Sequence, residues 1–125
     1  MTKTILIVED DELLRELTAE SLSSLYAVTI APTANADEAL HHLSHEEPPA
    51  LVITDIHMPG RMDGLGLAQV VWRRWPTLPV ILTSGQAIID TKLLPVRAAF
   101  LPKPWGIADL ASLINKLVNL PAIED

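Results

Sequence analysis

The sequence predicts one α/β domain in which helices cover both faces of a parallel sheet. Two observations support this fold class. Short apolar runs alternate with segments of helical periodicity along the chain, and most of these runs are continuously apolar, which is typical of strands buried on both faces. A length of 125 residues with 49% hydrophobic content suits one core. We therefore expect a single domain over residues 1–125, without an effector domain.

Five apolar runs are the predicted strands. They are residues 4–8, 26–31, 51–54, 80–83 and 98–101. Polar or turn-forming residues follow each run, such as the Pro-Lys-Pro sequence after the fifth. Right-handed crossovers between parallel strands bring their carboxyl ends to one edge of the sheet, where such sheets bind their ligands.

Helical periodicity fills the intervals between these strands. The first helix covers about residues 12–24, and the second begins near Asn35, which with Glu38 resembles a capping box. The third helix ends near Trp75, because a proline follows it. The last helix covers about residues 107–118 and has a regular apolar stripe.

The composition narrows the possible classes of function. Sixteen acidic residues against nine basic ones give a net charge of −7, which argues against direct nucleic-acid binding because few cations could neutralise phosphates. Cysteine is absent, which excludes a disulfide framework and a thiolate metal site. The apolar stretch near the N-terminus is too short for a signal peptide or a membrane span. We expect a cytoplasmic protein without a membrane partner.

Polar side chains follow four of the five predicted strands. Glu9 and Asp10 follow the first, Asp55 the third, and Lys103 the fifth, while Thr83 ends the fourth. Clustered carboxylates repel one another unless a cation neutralises them, and an all-oxygen ligand set suits Mg²⁺. With the metal bound, Asp55 can attack phosphorus as a carboxylate nucleophile, and the ammonium and hydroxyl can bind phosphoryl oxygens.

These residues occur in motifs that resemble the receiver domain of two-component response regulators. The motifs are ILIV before Glu9-Asp10, IHMPG and MDG after Asp55, ILTSG around Thr83, and FLPKP around Lys103. The resemblance covers essentially the whole chain, so we expect a stand-alone receiver. It implies the flavodoxin-like doubly wound (βα)5 fold, whose strand order is 2-1-3-4-5.

The resemblance also implies a role for each site residue. Asp55 is expected to be the phosphoacceptor. It would bind Mg²⁺ together with Asp10 and the backbone carbonyl of His57, while Glu9 would act on the metal through water.

Thr83 and Lys103 are expected, by the same resemblance, to bind the phosphoryl group. Phe100 matches the aromatic switch position, and the Lys103-Pro104 peptide bond is expected to be cis. Phosphorylation gives Thr83 a new acceptor, and this contact would shift a two-state equilibrium toward the active conformation. Movement of Thr83 would then open space for Phe100 to turn inward.

The implied function is a phosphorelay step in which a histidine kinase or a histidine phosphotransfer protein donates a phosphoryl group to Asp55. The output is expected through an unknown downstream protein or as a phosphate sink, from a monomer or weak homodimer. One alternative is a protein-binding module that works without phosphorylation. Others are a Mg²⁺-dependent phosphohydrolase, which would want a second Asp where His57 stands, and a flavin-binding electron carrier, whose phosphate Glu9-Asp10 would repel.

Two places depart from the usual receiver pattern. The loop after Asp55 has both Gly60 and Arg61 where the pattern has one residue, so we expect a solvated cation near the pocket mouth. The segment 86–97 contains Pro95, so the fourth helix is expected to be short or irregular.

Three histidines of the second helix form a separate motif. His41, His42 and His45 have spacing that could suit a transition metal, although a solvated helix face is the default interpretation.

Overall fold

The computed structural model describes residues 2–85, 92 and 94–123. Five parallel strands form one sheet with the order β2-β1-β3-β4-β5. The strands are β1 (Thr4–Val8), β2 (Thr29–Thr33), β3 (Leu51–Asp55), β4 (Val80–Ser84) and β5 (Ala98–Pro102). The predicted fold class and strand order are therefore confirmed.

Four helices lie within the described residues. They are α1 (Glu12–Leu25), α2 (Ala36–His45), α3 (Gly64–Arg74) and α4 (Ile107–Leu117). The last of these is the helix that the sequence predicts as the fifth. The predicted fourth helix falls in the segment 86–97, most of which lies outside the described residues.

Side-chain caps explain where the helices begin. Asp11 Oδ1 accepts a hydrogen bond from the Leu14 N–H at the start of α1, and Asp63 Oδ1 accepts one from the Gly66 N–H at the start of α3. Each cap satisfies a backbone donor that the first helical turn leaves without an internal partner.

The helices divide the core into two apolar clusters, one on each face of the sheet. The cluster on the α2 and α3 face includes Leu6, Val52 and Leu82 from the central strands. The cluster on the α1 and α4 face includes Ile7 and Ile81. Successive residues of one strand thus enter opposite clusters, as the alternation of side chains in a strand requires. Because both faces are covered, the polar residues at the strand ends mark the accessible edge.

The second strand begins later than the sequence predicts. The prediction places it at residues 26–31, whereas β2 covers Thr29–Thr33. Tyr26 instead ends α1, since its N–H donates to Leu22 O at 2.9 Å, and it forms an antiparallel bridge with Ala122. The β-rich residues at this position therefore pair with the C-terminal segment. Pro32 lies within β2, which is possible because β2 is an edge strand.

Over the ranges that the structure describes, none of the helices combines the length and the apolar character that crossing a bilayer requires.

Candidate functional site

The site lies at the carboxyl edge of the sheet, where four neighbouring strands end. Glu9 directly follows β1, and Asp55 is the last residue of β3. Thr83 of β4 is paired in register with Asp55, and Lys103 follows β5. The sheet order brings these residues together because β1, β3, β4 and β5 are consecutive neighbours. The end of β2 lies beside β1 at the edge of the sheet, where Thr33 O accepts a hydrogen bond from the Glu9 N–H at 3.0 Å.

Three carboxylates form an acidic cluster at this edge. Glu9, Asp10 and Asp55 each offer a carboxylate oxygen, and these oxygens lie within 4.8 Å of one another. Glu9 is 5% exposed and Asp55 is 9% exposed, whereas Asp10 is open to solvent. The cluster therefore has two buried members and one at its mouth. Oxygen donors at this spacing are suited to a hard divalent cation.

Lys103 joins two of the carboxylates. Its Nζ lies 2.9 Å from Glu9 Oε1 and 3.0 Å from Asp55 Oδ2, so it donates to both. The peptide bond between Lys103 and Pro104 is cis, as predicted. The Lys103 backbone N–H donates to Ser84 O at 2.9 Å, which fixes the start of this side chain beside the end of β4. The Lys103 ammonium thus forms ion pairs with two buried carboxylates.

The electrostatics of the pocket shift the pKa values of two groups. Burial raises the pKa of Glu9 above its ordinary value, and the hydrogen bonds from Lys103 and from the Asp11 N–H offset only part of this effect. Burial acts to lower the pKa of Lys103, but the hydrogen bonds and charges of Glu9 and Asp55 outweigh it and raise the pKa. Lys103 therefore remains a cation at neutral pH.

Backbone contacts hold Asp55 in place. Its Oδ1 accepts a hydrogen bond from the His57 N–H at 3.3 Å, and its carbonyl oxygen accepts one from the Thr54 hydroxyl at 3.0 Å. Gly64, the first residue of α3, packs so closely that an added Cβ would lie 1.7 Å from the Asp55 carbonyl oxygen. Glycine at this position is thus what lets α3 begin directly behind the carboxylate.

Two further contacts at the site are absent from the sequence-based prediction. Arg15 Nη1 donates to the Glu9 carbonyl oxygen at 2.9 Å, and the Asp11 N–H donates to Glu9 Oε2 at 3.2 Å. These two hydrogen bonds link the backbone and the side chain of Glu9 to the start of α1. The acidic run before α1 indicates a helix start, but nothing in the sequence pairs Arg15 with the residue six positions earlier.

Thr83 and Phe100 occupy different positions relative to the carboxylates. Thr83 is 4% exposed and lines a small cavity of about 10 Å³ together with Asp55, Thr18 and Trp105. Phe100 is half-buried, is paired with Leu82 in the sheet, and packs against the cluster on the α2 and α3 face. The side chain of His57 is exposed, and only its N–H has a described contact with Asp55.

The loop between β3 and α3 borders the mouth of the site. Gly60 has a φ of 111°, a conformation that favours glycine. The following residue, Arg61, lines a cleft of about 390 Å³ that also contains Asp10 and the start of α2. The one extra residue of this loop, at Gly60-Arg61, therefore lies beside the solvent-exposed carboxylate of Asp10.

The arrangement of these residues agrees with a comparison of the chain with protein families. A family model described as the response regulator receiver domain matches residues 5–115. The chain belongs to the response regulator receiver domain family. Receiver domains are the signalling phosphoacceptors of two-component systems. They bind Mg²⁺ at an acidic pocket and interact with histidine kinases or phosphotransfer proteins.

The receiver domain is similar to parts of longer regulators. An NtrX-like response regulator from Rickettsia felis is 34% identical over 124 residues, which cover 96% of this chain. The receiver spans about a quarter, 26%, of the length of this curated relative.

Solved receiver domains share the fold over nearly their whole length. The receiver domain of NtrX from Brucella abortus has a TM-score of 0.79 and 32% identity, covering 90% of this chain and 96% of that one. A CheY-like response regulator receiver domain protein from Methanospirillum hungatei JF-1 has a TM-score of 0.82 and 28% identity, covering 93% of both chains.

Proposed function

We propose that this receiver accepts a phosphoryl group on Asp55 from a phosphohistidine of a histidine kinase or histidine phosphotransfer protein. One observation carries the proposal. The Asp55 carboxylate lies at the edge of the sheet, in an acidic cluster with Glu9 and Asp10 and 3.0 Å from the Lys103 ammonium. A nucleophile, a cation site and a positive charge for phosphoryl oxygens thus meet in one place.

The donor set fits Mg²⁺. Asp10 and Asp55 would be direct ligands together with the His57 backbone carbonyl, and Glu9 would act through water. All of these ligand atoms are oxygens. Three carboxylates share a single lysine, and two of them are buried, so net negative charge remains for a cation to neutralise. When bound, Mg²⁺ supplies charge stabilisation for the transferring phosphoryl group.

In the transfer step, an Asp55 carboxylate oxygen forms a bond to phosphorus. The N–P bond of the phosphohistidine breaks, and its electron pair remains on the imidazole nitrogen of the donor. The product is an acyl phosphate on Asp55. Lys103, already hydrogen-bonded to Asp55, binds a phosphoryl oxygen, and the Thr83 hydroxyl donates to another. By these contacts the receiver assists its own phosphorylation and dephosphorylation.

Thr83 and Phe100 form the proposed switch. Thr83 gains a hydrogen-bond acceptor only in the phosphorylated state, and this differential contact is what shifts the conformational equilibrium. Phe100 is half-buried on β5 and is next to Leu101, which pairs with Thr83 in the sheet. A shift of β4 would therefore also move the Phe100 side chain. The output is a contact with a downstream protein, or transfer of the phosphate onward.

The test is phosphate uptake from a small acyl phosphate donor. With Mg²⁺ present, the protein should gain the mass of one phosphoryl group, and removal of Mg²⁺ with a chelator should abolish the gain. Asp55→Asn should show no uptake, whereas Asp63→Asn, which retains a helix-capping side chain outside the cluster, should be phosphorylated normally. No uptake by the unmodified chain would instead favour a protein-binding module that works without phosphorylation.

A further inference from the structure

Two histidines on α2 form a stacked pair outside the phosphorylation site. The rings of His41 and His45 have centroids 4.1 Å apart, with an angle of 30° between their planes. Both side chains are exposed to solvent. Residues four positions apart lie on the same face of a helix, so the two imidazoles extend from neighbouring turns in the same direction.

The hydrogen bond of His45 determines which of its nitrogens carries the proton. Nδ1 lies 2.8 Å from the carbonyl oxygen of His41. A carbonyl oxygen can only accept, so Nδ1 must be the donor, and in the neutral ring Nε2 then carries the free lone pair. Donation from the second ring nitrogen to a backbone carbonyl is the arrangement that orients metal-binding histidines in proteins.

The surroundings of the pair are concave and contain acidic groups. A cavity of about 480 Å³ is lined by both rings and by His42, Glu38 and Glu46. The carboxylates give a negative environment, which favours a divalent cation over an anion. Glu38 is itself held by the Ala34 N–H and by Asn35, so its charge stays near the start of the helix.

We propose that His41 and His45 form a binding site for a divalent transition metal ion of the Zn²⁺ or Ni²⁺ class. His45 would bind through Nε2, and the exposed His41 ring would turn out of the stacked arrangement so that one of its nitrogens points at the same ion. Imidazole nitrogens suit these ions, and two histidines four residues apart on one helical face are a recurrent way of binding zinc. Water completes the coordination. The site is independent of the proposed phosphoacceptor function.

The two proposed metal sites among the described residues would differ in the ions they prefer. The cluster of Glu9, Asp10 and Asp55 offers only oxygen and suits Mg²⁺, whereas the histidine pair offers nitrogen. This difference allows the two sites to be studied separately, because a large excess of Mg²⁺ occupies the oxygen site and competes poorly for imidazole.

The experiment is a titration with Zn²⁺ in the presence of excess Mg²⁺, followed by calorimetry, and a parallel titration with paramagnetic Ni²⁺ followed by NMR. We expect one Zn²⁺ ion to bind, and Ni²⁺ to broaden the signals of the histidine side chains of α2 first. The double variant His41→Gln/His45→Gln should lose at least about tenfold in Zn²⁺ affinity. Both positions are exposed, so the variant should keep the circular dichroism spectrum of the parent.

Ser44→Ala is the matched control, because it changes an exposed residue of the same helix outside the lining of the cavity. Its Zn²⁺ affinity should equal that of the parent. The proposal is overturned if the double variant binds Zn²⁺ as tightly as the parent. It is also overturned if Zn²⁺ does not bind under excess Mg²⁺, or if Ni²⁺ broadens only signals around Asp55.

Discussion

Lys103 Nζ lies 3.0 Å from Asp55 Oδ2, although 48 positions separate the two residues in the chain. The same nitrogen lies 2.9 Å from Glu9 Oε1. Before phosphorylation, the lysine therefore neutralises part of the charge that three neighbouring carboxylates concentrate at the sheet edge. The residue proposed to bind the phosphoryl group also stabilises the unphosphorylated pocket, so its loss should affect stability as well as transfer.

Replacement of Lys103 by Gln should destabilise the protein. The substitution leaves Glu9 and Asp55 as buried carboxylates without their cation, which should lower the free energy of unfolding by about 1 to 3 kcal/mol. Urea unfolding without divalent cations measures the difference, and added Mg²⁺ should reduce it. The control is Lys3→Gln, because Lys3 donates only to the exposed Asn119 carbonyl in the described contacts. A larger loss in the control would contradict the role given to the ion pairs.

Replacement of Asp10 by Asn should raise stability without Mg²⁺ and remove most of the stabilisation that Mg²⁺ provides. The variant loses like-charge repulsion, worth roughly 0.5 kcal/mol at this exposed position. The parent should gain about 2.7 kcal/mol once Mg²⁺ reaches 100 times its dissociation constant, and the variant much less. In thermal unfolding, the variant should therefore be the more stable of the two proteins without Mg²⁺, and the parent the more stable one with Mg²⁺.

Asp11→Asn is the control for this prediction. Asn replaces Asp well as a helix cap, and Asp11 lies outside the three-carboxylate cluster. Its Mg²⁺-dependent stabilisation should match that of the parent. If Mg²⁺ stabilised the Asp10 variant as much as it stabilises the parent, Asp10 would not be a ligand of the ion.

Replacement of Gly64 by Ala should be strongly destabilising. The new Cβ would lie 1.7 Å from the Asp55 carbonyl oxygen, which belongs to the backbone and cannot rotate away, so we expect a loss of about 3 kcal/mol or more. Gly66→Ala is the matched control, because the nearest atoms that its Cβ would meet belong to side chains, Met62 Cγ at 3.0 Å and Asp63 Oδ1 at 3.4 Å. Chemical denaturation of both variants should show a large loss for the first and little change for the second.

Much of the site follows from the sequence because strand ends and topology alone bring its residues together. Once Asp55 is placed at the end of one parallel strand and Lys103 after another, their proximity depends only on the strand order. That order came from the family resemblance, since periodicity identifies strands but not their neighbours. The identity of the residue types then indicates the chemistry.

Other features depend on contacts that local patterns do not encode. The segment at Tyr26 is β-rich, so its pattern predicts a strand. In the structure Tyr26 instead forms a bridge with Ala122, a residue that is distant in the chain. The pairing of Lys103 with Glu9 depends on a charge balance among side chains from three strand ends. The approach of Gly64 to Asp55 likewise depends on how α3 packs against β3, which no short sequence pattern determines.

Tyr26, the single tyrosine of the chain, should titrate above the ordinary pKa of 10.0. Burial raises its pKa because the charged phenolate is poorly solvated there. The folded state therefore holds this proton more tightly than the unfolded state. The resulting stability is fully present below the unfolded pKa and is lost as pH rises through the folded one. Tyrosinate absorbance should show a higher midpoint in the native protein than in urea.

The Tyr26→Phe variant separates the hydrogen bond from burial. It removes the bond from the Tyr26 hydroxyl to Asn115 Oδ1, which has a length of 3.0 Å, and should cost about 0.5 to 1.5 kcal/mol. The stability difference between parent and variant should shrink as pH rises above about 10. A difference that grows with pH would contradict the raised pKa.

Replacement of Thr83 by Ala should separate phosphorylation from switching. The hydroxyl at this buried position is proposed to donate to the phosphoryl group, whereas Asp55 and the acidic cluster carry out the transfer. Thr83→Ala should therefore take up phosphate from a small acyl phosphate donor, but the NMR signals of Phe100 should change much less than in the parent. Thr83→Ser retains the hydroxyl and should restore the change. If the Phe100 signals change equally in the alanine variant, Thr83 does not couple the phosphoryl group to β5. The shift in equilibrium must then come from another contact of the acyl phosphate, and Lys103 is the first residue to test.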